Sequence, residues 1–193
     1  MLDDFETLSC EMRSCTACEG LELGPKPIFQ LSPDARVLIV GQAPGRLAHQ
    51  KGQPFDDPSG DRLRIWMGVS REAFYDDPRI GIFPMGLCFP GKAKAGDKPP
   101  RPECAPLWRQ KMLAHLSNVA LTLVIGRYAI DWHLPDARKS TVAEAVFAPR
   151  KAKQATFVLP HPSPRNTLWL KRHPSFERDI VPNIRAQIKS LLS

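Results

Sequence analysis

Apolar residues along this chain fall either into short unbroken runs or into helical spacings. Arg36-Val-Leu-Ile-Val-Gly41 is a β-branched run that ends in Gly-Gln-Ala-Pro-Gly, the pattern of a buried parallel strand passing into a loop. Ile80 to Leu87, Leu121 to Ile125 and Ala155 to Leu159 have the same character and predict three further strands. Helical spacing appears around them. Leu2, Phe5 and Leu8 mark a short N-terminal helix, and Ser59 caps a run that puts Leu63, Trp66 and Met67 on one face. Cys104 to Ser117 carries Trp108, Met112 and Leu116 at the same spacing, a helix starts near Arg127, and Ile180, Ile184, Ile188 and Leu192 mark the last one. Strands alternating with helices predict an α/β fold, a three-layer α/β/α arrangement on a mostly parallel central sheet of about four strands. Ligands of such sheets bind at the carboxyl ends of the strands.

The 193 residues suit one domain spanning 1–193, with no composition shift to mark a linker. No apolar run approaches the length of a membrane span, and Met1-Leu-Asp-Asp-Phe5 is acidic where a signal peptide would be basic. The expectation is a cytoplasmic protein with no membrane partner, a monomer by default. Lys and Arg number 27 against 20 acidic residues, and the net charge of +7 favours a polyanionic partner. Many of the 20 prolines cluster, as in Pro99-Pro100-Arg-Pro102 and Pro160-His-Pro162-Ser-Pro164, which reads as ordered, irregular loops.

Five cysteines, an odd number, in a reducing compartment point away from a disulfide framework. Cys15-Thr-Ala-Cys18 is a CxxC pair, and Cys88 and Cys104 flank a basic, proline-rich loop. Four thiolates meet the need of a [4Fe–4S] cluster or of a structural zinc, and spacing alone does not choose between them. Separate reduced thiols holding no metal are the plain alternative. Cys10 has no partner at motif spacing and reads as a small packed side chain.

Two strand-end loops carry the candidate chemistry. Gly41-Gln-Ala-Pro-Gly45 exposes backbone N–H groups in a tight turn that can hold an anion or a carbonyl oxygen. His161-Pro-Ser-Pro-Arg-Asn166 puts a titratable ring, a hydroxyl, a guanidinium and an amide on one rigid turn. The later His173-Pro-Ser-Phe176 precedes the last helix and reads as a turn that opens it.

With Gly52-Gln-Pro-Phe55 and Val124-Ile-Gly-Arg-Tyr-Ala129 added, these motifs stand in the order that marks the uracil-DNA glycosylase superfamily, and the chain resembles its iron–sulfur group, family four, over nearly its whole length. The resemblance implies a base-excision repair hydrolase that binds uracil-containing or otherwise damaged DNA and cuts the N-glycosidic bond of uracil or a related deaminated base. An inactive nucleic-acid-binding relative is the alternative. It further implies a [4Fe–4S] cluster on Cys15, Cys18, Cys88 and Cys104. His161 would donate to the uracil oxygen that gathers charge, Phe55 would stack on the flipped base, and Gly41 and Ala43 with the amides near Gln42 would bind its edge. Arg46, Ser163, Pro164, Arg165 and Asn166 would meet the DNA. Three positions depart from the group. Gln42 stands where the group has a carboxylate, His49, a candidate to accept a proton or bind phosphate, stands where an acidic residue usually precedes the Gly52 to Phe55 segment, and Pro84 stands where the group has a uracil-reading asparagine.

Overall fold

A computed structural model describes residues 4–148 and 155–193; Leu2 of the expected N-terminal helix lies outside them. Helix α1 (Phe5–Arg13) is followed by β1 (Val37–Val40), α2 (Arg46–Lys51), α3 (Pro58–Met67), α4 (Arg71–Asp76) and β2 (Ile80–Ile82). Then come α5 (Cys104–Leu113), β3 (Leu121–Ile125), α6 (Arg127–His133), α7 (Val142–Phe147), β4 (Ala155–Leu159), α8 (Thr167–Arg172) and α9 (Val181–Leu192). The four strands form one all-parallel sheet in the order β2-β1-β3-β4. Every residue of β1, β2 and β3 is buried, as a sheet covered on both faces requires.

Right-handed crossovers decide which face each helix takes. The chain steps one way from β1 to β2 and the other way from β2 to β3 and on to β4, so α3 lies on one face and α5, α6 and α7 on the other. Packing agrees: α3 meets α9, α1 meets α5, α6 lies on β3 and α7 on β4. The core is continuous across both faces, with Leu63, Trp66, Phe74, Phe176 and Ile184 among its fully buried members. No described helix is long and apolar enough to cross a membrane.

The helix expected over Cys104 to Ser117 ends at Leu113, and two further boundaries shift. The second strand stops at Ile82 because Pro84 has no N–H to give, although Phe83 N–H still reaches Ile39 O (2.8 Å) and Met85 N–H reaches Gly41 O (2.8 Å). Helix α3 is capped by Asp57, whose Oδ1 accepts from Gly60 N–H at 2.9 Å, and Ser59 lies inside its first turn. The short helices α2, α4, α7 and α8 carry too few turns to show a period in the sequence.

Candidate functional site

The loop after β1 leads on to α3 and the loop after β4 to α9, two helices packed on each other, whereas the loop after β3 leads to α6, which packs on β3. Val40 is level with Val124, and Val124 with Val158, so β1 and β4 end side by side two strand spacings, about 10 Å, apart. Between their loops lies a cleft of about 990 Å³ lined by Gly41–Ala48, Pro54, Phe55, Asp57, Pro84, Lys92, Lys94 and Asp97, and by His161 and Ser163–Asn166. The two motif loops therefore face each other across one opening. All five residues expected to meet DNA, and Gly41, Gln42, Ala43, Phe55 and His161, line it.

His161 opens onto the cleft but is crowded by protein on its other sides. That crowding holds its pKa below the ordinary 6.5, against the opposing attraction of the Asp57 and Asp97 carboxylates. Its Nδ1 accepts from Ser163 N–H at 3.2 Å, which leaves the proton of the neutral ring on Nε2, free to donate. The loop is braced from within. Ser163 Oγ accepts from Arg165 N–H (3.2 Å), Asn166 Nδ2 donates to His161 O (3.1 Å), and Arg62 of α3 donates to Ser163 O (2.9 Å). Pro164 and Arg165 remain exposed at its tip.

Phe55 forms the opposite wall. Its φ of 56° makes it the only non-glycine residue with a left-handed backbone among those described. A bulky side chain adopts that conformation only where its surroundings impose it, at a cost of about 1–3 kcal/mol. Here Tyr75 Oη donates to Pro54 O (3.0 Å), and Gly60 backs directly onto Phe55: a Cβ at Gly60 would sit 1.7 Å from Phe55 O. The Phe55 ring tip packs against the start of the β1 loop, 3.5 Å from where a Gly41 Cβ would be.

Gln42 and His49 differ from their expected settings. Gln42 Nε2 donates to Lys98 O at 2.9 Å, so this amide ties the basic loop to the end of β1. His49 does not line the cleft. It is 8% exposed, faces Phe89 with ring centroids 6.2 Å apart, and its carbonyl accepts from Lys26 Nζ at 2.7 Å. Burial and the Lys26 charge both lower its pKa, and Nδ1 has no partner among the described residues. Pro84 does line the cleft, and its carbonyl and that of Phe83 are both held by the buried Arg109 guanidinium, at 3.1 and 2.8 Å. Asp57 and Asp97 also line the cleft and belong to no motif in the sequence, where the only signal for Asp57 is an Asp-Pro-Ser-Gly helix start.

Cys15, Cys18, Cys88 and Cys104 line a second, small pocket with Pro25, Pro27, Leu87 and Arg101, while Cys10 is exposed outside it. Burial raises the pKa of Cys18 and Cys88 and pushes Cys104 up to about 12, and the four thiols act on one another electrostatically. Leu87 N–H reaches Cys104 Sγ at 3.3 Å. Among the described residues, no three His, Cys, Asp or Glu side chains are grouped to hold a single metal ion.

A solution NMR structure of a candidate uracil DNA glycosylase from Methanosarcina acetivorans is similar at 18% identity and a TM-score of 0.47, with 82% of this chain and 98% of that chain covered. The sequence model of the uracil DNA glycosylase superfamily matches residues 28–185, the span that builds the sheet and both walls of the cleft, and the chain belongs to that superfamily.

Proposed function

We propose that the protein hydrolyses the N-glycosidic bond of uracil or a related deaminated base in DNA. One observation carries this reading: the two strand-end loops face each other across a cleft that has a neutral imidazole donor on one wall and a fixed aromatic ring on the other. A base swung out of the helix would stack on Phe55. As the bond to the sugar breaks, negative charge gathers on the departing base, and His161 Nε2–H is free to meet it. Arg46, Arg165, Lys92 and Lys94 around the mouth supply positive charge for phosphates.

The cysteine pocket supports a [4Fe–4S] cluster as the resident group. Four thiols around one pocket match the ligand count of such a cluster. When bound, the cluster would fasten the N-terminal segment to both ends of the basic loop.

The test is release of uracil from an oligonucleotide, read as alkali-labile strand cleavage. Wild-type protein should cut. His161→Ala should lose about 100-fold or more while keeping its Tm. The wild-type rate should stay level around neutrality, where the lowered pKa keeps His161 neutral. Binding without cleavage would favour the inactive relative instead.

A further inference from the structure

The cleft holds a carboxylate that no expectation assigned a part. Asp57 follows Phe55 by two residues, a step of at most about 7 Å, on the order of the distance from a stacked base to its sugar. Its Oδ1 is fixed by Gly60 N–H at 2.9 Å. Its Oδ2 lies 3.9 Å from the point where a Gly45 side chain would begin, against the wall of the β1 loop, and its charge acts on His161 across the opening. Asp97 Oδ2 approaches the same point at 3.6 Å, but Asp97 Oδ1 is paired with Lys92 Nζ at 2.6 Å. Asp57 has no ion-pair partner among the described residues. Gln42, which stands where the resembled group has a carboxylate, is a neutral amide that donates to Lys98 O, and His49 does not line the cleft.

We propose that Asp57 is the catalytic carboxylate that receives the proton of the attacking water; this rests on the function proposed above. The C1′–N bond breaks with its electron pair leaving on the base, whose oxygen is met by His161. Water oxygen bonds to C1′, and the released proton passes to Asp57 and from there to solvent. The negative charge of Asp57 also faces the cation-like sugar as it forms.

The experiment is single-turnover uracil release by wild type, Asp57→Asn and Asp97→Asn, with affinity for the same DNA and Tm measured alongside. Asn and Ser both preserve the α3 cap, so Asp57→Ser serves where Asp57→Asn lowers Tm. Asp57→Asn should lose about 100-fold or more in rate with affinity and Tm unchanged, and Asp97→Asn should lose less than about tenfold. Wild-type release together with an Asp57→Asn rate within about threefold of it would overturn the role of Asp57 and leave the glycosylase reading standing. Wild-type protein that releases no base would overturn both.

Discussion

At the residue scale, Arg109 is 1% exposed and has no carboxylate partner among the described residues. It is satisfied by Phe83 O, Pro84 O and His133 Nε2, the last at 3.1 Å, and it stacks over the Phe83 ring. Burial and the neighbouring guanidinium push His133 down from 6.5 to about 3, so the ring stays a neutral acceptor. A lowered pKa favours the neutral form in the fold. The stability it brings is therefore complete above 6.5 and is lost as the pH falls toward 3. Thermal melts across that range should show Tm dropping, and His133→Gln, which keeps an acceptor but does not titrate, should reduce the drop. None of this was legible in the sequence, where Arg109 and His133 are 24 positions apart and belong to no motif. His161 was legible because its neighbours in the chain are also its neighbours in space. Asp57 was not, because its importance comes from Gly45 and His161, which other strands deliver.

At the scale of elements, α3 does three things at once. Its N-terminal cap is Asp57, its Gly60 makes room for the Phe55 backbone, and its Arg62 steadies the His161 loop. Gly60→Ala would force a Cβ into Phe55 O, and we expect it to cost about 1–3 kcal/mol by chemical denaturation and to impair base release more than its loss of stability explains. A result no worse than an ordinary helical Gly→Ala change would show that the wall can give way. The strands were the readable elements: β3 and β4 match their expected limits, because unbroken β-branched runs between turn residues leave few alternatives. The short helices were not, since helices of six residues owe their form to what they pack against.

For the whole molecule, the cleft and the cysteine pocket share one loop. The basic segment runs from Cys88 to Cys104, carries Lys92, Lys94 and Asp97 into the cleft, and is tied back to β1 by Gln42 and to the N-terminal segment by Glu22, which accepts from Lys92 N–H at 2.9 Å. Under the proposed cluster, Cys15→Ser should remove the visible absorbance of the purified protein, lower its Tm and weaken DNA binding, whereas Cys10→Ser should alter none of these. A colourless wild type with full DNA binding would count against the cluster. The sheet order could not be read from the sequence, because it is set by crossover handedness and packing rather than by any local pattern.

The left-handed turn at Phe55 has a bearing on how a guest is chosen. Under the proposed function, a ring cocked in place by its own main chain is a mould set before anything is poured, so the nucleic acid would do the moving. Discrimination would then fall at the threshold, on which bases leave their stack readily and slide in.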